Sequence, residues 1–323
     1  MKEEDIRPEK IFKEYLELAK KDAVDFFERS ERKDIKCYAC GSDLKHSFNK
    51  HGFDYCTCKV CNSLLVNPRP LLESFVNYYT DSPSTEFWAK EFYKHTETAR
   101  KEKLWKPKSK QITKLIPFDK TFNIIDIGSG YGSFLDTFND DRLAAVIAIE
   151  PSIHLSEVLI QKGYSVIAKV IEEVTLEDLP PGQNVFTCFE LFEHLYDPTI
   201  FRDVVQSLMK PGDIFVFTTL SGEGLDIKLL GSQSKSVHPP HHLNFFNPIS
   251  MKLLFRGLDA NVHVFTPGRL DVDILIKSVN ETSLSTETKK FLANLNEQEI
   301  LSFQEIIRTT NNSSHMWTVI RKK

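Results

Sequence analysis

The chain has 323 residues, 41% of them hydrophobic and 24 of them phenylalanine, which is ample for a core and suits roughly two domains at about 150 residues each. A net charge of −4 gives no reason to expect nucleic acid as the main partner, and no apolar run approaches the ~18 residues that a membrane span needs. The opening Met-Lys-Glu-Glu-Asp lacks the apolar segment of a secretory signal, so a cytoplasmic location is expected.

Residues 1–33 form the first segment. Phe12, Tyr15, Leu16, Ala19, Ala23, Phe26 and Phe27 recur in steps of three and four, which predicts one apolar face of a packing helix. Residues 34–70 follow, and five of the six cysteines fall between positions 37 and 61. Cys37, Cys40, Cys58 and Cys61 stand in the pattern C-x2-C-x17-C-x2-C, the spacing of a structural zinc site. Four thiolates close a tetrahedron around zinc and leave no open position, so such a metal holds a fold and does no chemistry. A segment this short buries too little surface alone, and metal binding would supply much of its folding energy. Cys56 makes a poorer knuckle with Cys58 and is placed outside the shell. The run Leu64 to Val66 predicts a ribbon strand, which Pro68 and Pro70 end.

Residues 71–113 read as a helical, charged linker rich in aromatics, placed either as a lid or as simple packing. From 121 onward strands and helices alternate regularly. Strands are expected at 123–127, 144–149, 164–168, 184–189, 214–219, 261–265 and 316–320, with helices at 152–161 and 199–209. That alternation predicts an α/β fold, a Rossmann-like, mostly parallel seven-stranded sheet over residues 114–323 with helices on both faces and ligands at the carboxyl ends of the strands. An insertion at about 266–314 is longer than a hairpin requires and is placed to select a substrate. Within it Arg269 reads as a phosphate or carboxylate partner, or as the surface partner of Asp271 or Asp273.

The stretch that organises the chain is 123–151. An apolar run ends in glycines at 128, 130 and 132. A helical pattern (Phe134, Leu135, Phe138) follows, and a second apolar run stops on Glu150-Pro151. This is a βαβ unit suited to an adenosine-type ligand, with an acid about 20 residues on for ribose hydroxyls. Ser133 stands where the dinucleotide fingerprint needs its last glycine.

The pattern Asp126-x-Gly128-x-Gly130-x-Gly132 resembles motif I of the class I S-adenosylmethionine-dependent methyltransferases. The resemblance implies that Asp126, Gly128, Ser129, Gly130, Tyr131 and Gly132 line the methionine part of that cofactor. Glu150, followed by Pro151, would take the ribose. The family often carries an acid after strand three for the adenine amino group. Lys169-Val170 stands there instead, leaving Glu172 or backbone groups for that contact. Glu190-x-x-Glu193-His194-Leu-x-Asp197-Pro198 is similar to the motif after strand four in the small-molecule methyltransferases, with Glu190 toward the cofactor. Glu193 is then read as a helix-start anion and His194 as a structural residue beginning that helix.

A four-cysteine module before such a domain resembles the sugar C-methyltransferases of antibiotic pathways and relatives from polysaccharide gene clusters. In that group a histidine followed by aromatics acts as base, and here the matching stretch is His238-Pro-Pro-His241-His242-Leu-Asn244-Phe-Phe. His242 falls on the base and His241 on the preceding acid. The expected function is methyl transfer to a small-molecule acceptor, a sugar or nucleotide-linked sugar, with zinc as a structural metal. An RNA methyltransferase and a non-catalytic ribbon protein are the alternatives.

Overall fold

The computed structural model describes residues 2–117, 119–268, 270–279 and 283–323. Arg269, singled out above, lies outside them. In chain order the strands are β1 (Arg32–Lys33), β2 (Leu44–Lys50), β3 (Phe53–Cys58), β4 (Leu64–Val66), β5 (Arg69–Pro70), β6 (Phe122–Ile127), β7 (Leu143–Ile149), β8 (Ser165–Ile167), β9 (Gln183–Phe189), β10 (Ile214–Leu220), β11 (Asn244–Phe245), β12 (Ala260–Phe265) and β13 (His315–Lys322). The chain divides into two compact units. One comprises Met1–Thr96, Leu220–Leu254 and Phe265–Met316, the other Glu97–Thr219, Phe255–Val264 and Trp317–Lys323.

The first unit contains a four-stranded sheet in the order β11–β4–β3–β2. The expected helix spans Glu9–Phe27 and buries Phe12, Tyr15, Ala19, Ala23 and Phe27. Phe27 is its anchor, with ring centroids 5.2 Å from Phe53 of β3 and 4.8 Å from Phe75. The sheet's edge strand β11 comes from nearly 180 residues further along the chain, pairing Asn244 with Leu65 and Phe245 with Leu64. Within 266–314, the helices Asp271–Ser278, Thr286–Ala293 and Glu297–Thr309 close around Leu275, Val279 and Leu292. Asp271 is buried, and its carboxylate accepts from the Ser314 N–H at 2.6 Å, the Ser313 hydroxyl at 2.9 Å and Gln304 Nε2 at 2.7 Å.

The α/β fold expected from the alternation is the fold observed: a sheet, seven-stranded among the described residues, in the order β12–β13–β10–β9–β6–β7–β8. β6 and β10 are buried along their whole lengths, which is why they read as unbroken apolar runs rather than alternating ones. β6 pairs in parallel with both β7 and β9, and β9 in turn with β10. β13 runs back against β10, since hydrogen bonds join Lys322 to Asp213 at one end and Ser221 to Ser314 at the other. The chain therefore winds outward in opposite directions from the β6/β9 boundary. Parallel sheets of this kind leave a crevice at such a switch point. Stacked phenylalanines fill the second unit's core, with Phe217 4.6 Å from Phe192 and 4.8 Å from Phe215.

One predicted helix differs. Phe134, Leu135 and Phe138 are all buried, but the segment forms only the 3₁₀ turn Leu135–Thr137. Few residues separate Gly132 from the polar Asn139-Asp140-Asp141 turn, and the Thr137 hydroxyl donates to the Phe134 carbonyl at 2.8 Å, favouring a tight turn over a propagating helix.

Phe217→Ala removes a fully buried ring and should cost about 3–5 kcal/mol of the second unit's stability. Denaturant unfolding followed by near-ultraviolet dichroism would measure it; a loss below about 1 kcal/mol would mean that the phenylalanine stack does not hold this core together.

Candidate functional site

The second unit gathers the expected loop at the carboxyl ends of β6, β7 and β9. All three glycines have positive φ, +71° at Gly128, +56° at Gly130 and +72° at Gly132. Their surroundings differ. A Cβ on Gly128 would lie 2.9 Å from Leu191 Cδ2, and one on Gly132 would lie 2.7 Å from Leu159 Cδ2. Those two glycines let the chain pack on itself. A Cβ on Gly130 would meet nothing within 4 Å. The side-chain direction of Gly130 is thus open, the arrangement needed for a ligand to approach the backbone closely.

Glu150, at the end of β7, reaches this loop. Its Oε2 accepts from the Gly130 N–H at 2.8 Å and its Oε1 from the Ser152 N–H at 3.0 Å. Burial raises the Glu150 carboxyl above its ordinary value, while those N–H groups pull it back. Asp126 sits one step inside the loop, buried, with Oδ1 accepting from the Thr187 hydroxyl at 2.6 Å; burial pushes it up to about 7. The Ser129 hydroxyl donates to the Asp126 carbonyl at 2.8 Å, and the Tyr131 carbonyl accepts from Lys162 Nζ at 2.7 Å. Pro151 is exposed beside Glu150. Further out, Lys169 is held by both oxygens of Asp178 at 2.9 Å, and Glu172 is exposed.

Glu190 ends β9 in a left-handed bend, φ +55°, and accepts from Lys108 Nζ at 2.7 Å. Glu193 is not a helix-start anion. It lies in the 3₁₀ turn Phe192–His194, which also contains His194, and the helix Pro198–Leu208 begins later, capped by Asp197. Glu193 is 2% exposed and accepts from the Thr219 hydroxyl at 3.0 Å; burial and then the Glu190 charge push it up to about 8. Sequence reasoning passed over Lys108. Its signal was there, because Trp105, Lys108, Ser109 and Ile112 are all buried at helical spacing, and a lysine on such a face needs a buried partner.

In the first unit the four expected cysteines converge. Their sulfurs lie within 4.8 Å of one another, Cys37 to Cys61 and Cys40 to Cys58 at 3.4 Å, Cys40 to Cys61 at 3.6 Å. Four thiolates at about 2.3 Å from one zinc would stand ~3.8 Å apart, so the donor set fits that ion. Gly41 (φ +73°) and Asn62 (φ +59°) each follow the second cysteine of a pair and make the knuckle turn. Cys56 Sγ instead donates to the Asn67 carbonyl at 3.2 Å.

The two candidate histidines occupy different environments. His241 is buried with Nε2 2.6 Å from the Tyr78 hydroxyl; burial, then the neighbouring His242, lowers it to about 3. Burial thus favours its neutral imidazole. His242 is half-buried, and its Nδ1 lies 2.7 Å from the Ser236 carbonyl. A carbonyl only accepts, so Nδ1 carries a proton, and in the neutral ring the lone pair is then on Nε2, the tautomer of a general base. Asp226 fixes the Ser236 loop by accepting from the Ser234 and Ser236 hydroxyls at 2.7 and 2.6 Å. Arg69, also unforeseen, is fully buried and donates to Asn244 Oδ1 at 2.8 Å and to the Leu243 carbonyl at 3.3 Å.

A carboxyl raised on folding has a definite stability consequence. Asp126 titrates near 7 when folded and about 3.9 unfolded, so between those values the folded state holds a proton that the unfolded state lacks. Its contribution is present at low pH and is lost as pH rises through 7. Asp126→Asn should therefore flatten the fall in stability between pH 5 and 8 and gain about 1–3 kcal/mol at pH 8. Denaturant midpoints at the two pH values would check it. A parallel fall in both proteins would place the titration elsewhere.

A family model described as "Methyltransferase domain" matches residues 93–263, more than half of the chain. No curated protein matches. Among solved structures, the chain is similar to a complex between the Haloferax volcanii Trm112 methyltransferase activator and the putative methyltransferase (15% identity, 72% of this chain and 95% of that chain, TM-score 0.47). It is also similar to the plantazolicin methyltransferase BamL in complex with a triazolic desmethylPZN analog and SAH (14% identity, 76% and 93%, TM-score 0.47). A SAM-dependent methyltransferase from Archaeoglobus fulgidus is a third (18% identity, 72% and 100%, TM-score 0.45). On the family match the chain belongs to the methyltransferase domain family.

Proposed function

We propose that the loop 128–132 and Glu150 hold S-adenosylmethionine, and that the enzyme methylates a small-molecule acceptor, a sugar or nucleotide-linked sugar, with His242 as base. The observation that carries the cofactor site is the open direction at Gly130, whose N–H already reaches Glu150. Each carboxylate oxygen has a second lone pair, so Glu150 can hold its backbone partners and still accept from ribose hydroxyls. The remaining glycines, with Asp126, Ser129 and Tyr131, shape the wall. The bound cofactor supplies an electrophilic methyl group on a sulfonium. The chain's own residues align the partners, exclude water and take a proton from the acceptor.

His242 suits that last task because its Nδ1 donates to the Ser236 carbonyl, which in the neutral ring puts the lone pair on Nε2. A base so placed adds about 10²–10⁴-fold. His241 does not suit it, because burial makes it a weak base and its Nε2 is already hydrogen-bonded to the Tyr78 hydroxyl. The sugar class rests on the similarity of the His241-His242 segment to that of the sugar C-methyltransferases. The four cysteines are assigned a structural zinc, since four thiolates leave no site for substrate.

Two substitutions separate these assignments. Gly130→Leu should abolish binding of S-adenosylmethionine in calorimetry, at least about 100-fold, while zinc content stays unchanged; the positive φ adds only about 1 kcal/mol of strain. Retained affinity would refute the loop as the cofactor site. His242→Gln should slow turnover about 10²–10⁴-fold with cofactor affinity intact. Transfer of tritiated methyl groups into nucleotide sugars and polysaccharide precursors is the readout, and an unchanged rate would remove His242 as base. Labelling of no sugar-containing acceptor would remove the sugar class.

A further inference from the structure

Beside the glycine loop the second unit buries a cation that the proposed reaction does not use. Lys108 lies in the first turn of the helix Lys106–Leu115, with its side chain 4% exposed. Its ammonium donates to Glu190 Oε1 at 2.7 Å and to the Thr218 hydroxyl at 3.3 Å. It also lies 4.7 Å from the Trp105 ring centroid and 4.9 Å from that of Phe189. Two ring faces, a carboxylate and a hydroxyl are the groups that recognise a desolvated cation. Burial lowers the Lys108 ammonium from its ordinary value, and Glu190 opposes that shift.

The box adjoins the loop through the chain itself. Glu190 is held in the left-handed region, and the next residue, Leu191, is the one a side chain at position 128 would strike. A non-glycine residue at positive φ is strained, and such strain persists where surrounding structure imposes it. On the second side of the box, Phe189 packs 4.7 Å from Phe134, two residues past Gly132.

The cofactor's sulfonium is also a cation, one without N–H groups, so it responds to charge and to ring faces alone. Glu190 and the two rings favour it, and the Lys108 ammonium opposes it. We propose that the Lys108–Glu190 pair sets how strongly the site prefers the sulfonium form of the cofactor over its neutral thioether product. The proposal rests on the assignment of loop 128–132 to the cofactor. Its logic is catalytic: positive charge on sulfur disappears as the methyl group leaves. A site that stabilised the sulfonium fully would hold the ground state more tightly than the transition state and slow the reaction. A tethered ammonium at 2.7 Å from Glu190 offsets that excess.

S-adenosylmethionine and S-adenosylhomocysteine differ at sulfur by one methyl group and one charge, so the ratio of their affinities isolates the effect. Calorimetry on the full chain should show Lys108→Met raising the preference for S-adenosylmethionine about tenfold and Glu190→Gln lowering it about tenfold, as expected for one partly screened charge. The double variant should return to near the wild-type ratio, and Lys108→Arg, which keeps the charge, should leave it unchanged. Should Lys108→Met not fold, Glu190→Gln and Lys108→Arg decide the matter by themselves. Binding of both nucleosides with the ratio unmoved in Glu190→Gln would overturn this proposal and leave the loop assignment standing. A wild-type protein that binds neither nucleoside would overturn both.

Discussion

The second unit depends on one hydrogen-bonded carboxylate. Glu150 is buried at the end of β7, and each of its oxygens takes a backbone N–H, Gly130 on one side and Ser152 on the other. A buried carboxylate without such donors would be costly, so the bend of the glycine loop and the ionisation of Glu150 support each other. The same residue starts the next element: its carbonyl accepts from the Ser156 hydroxyl at 2.7 Å, and Ser152 caps the helix Ile153–Gln161. Gly128 and Gly132 let this joint close tightly, and Gly130 leaves it open on one side.

The first unit shows a comparable economy. The sheet that carries Cys56 and Cys58 is completed by β11, the strand that follows the two histidines directly. The Val66 N–H donates to the Leu243 carbonyl at 3.0 Å, the Tyr55 hydroxyl to the His242 carbonyl at 2.8 Å, and Asn247 Nδ2 to the Cys61 carbonyl at 2.7 Å. Arg69 adds donors to Leu243 and Asn244 from beneath. His242 is thus fixed by backbone bonds to the cysteine module, and its ring by the Ser236 loop. A metal in that module would stiffen the frame that holds the His242 imidazole.

How much of this was legible depended on whether the cause was local. The glycine spacing, the cysteine pairs and the buried strands are short-range chemistry, and each was readable within a few residues. What escaped was set by distant partners. Lys108 finds Glu190 82 positions away, and β11 completes a sheet begun nearly 180 residues earlier. Helical spacing misled at Phe134–Phe138, because burial of those rings does not require a helix when polar residues stop it within two turns. Glu193 was misread for a related reason. Its sequence position resembles a helix start, but the chain turns once more before Asp197, and burial rather than a helix dipole decides its protonation.

Besides Glu150, the rim of the second unit's sheet holds the ionisable side chains Lys108, Asp126, Glu190 and Glu193, and their charges are unequal in kind. Asp126 near 7 and Glu193 near 8 hold protons through much of the neutral range, because burial penalises their anions and each lies near another carboxylate. Glu190 is the one with a cation at hydrogen-bond distance. Three ionised carboxylates together would repel one another in a dry environment and would bind any cation indiscriminately. With Asp126 and Glu193 pushed toward their protonated forms and Glu190 matched by Lys108, Glu150 is the carboxylate whose charge is offset by backbone N–H groups alone. The two carboxylates so held differ in what replaces the water each has lost, a cation for Glu190 and two oriented N–H dipoles for Glu150, so removing either partner would leave a buried charge without compensation.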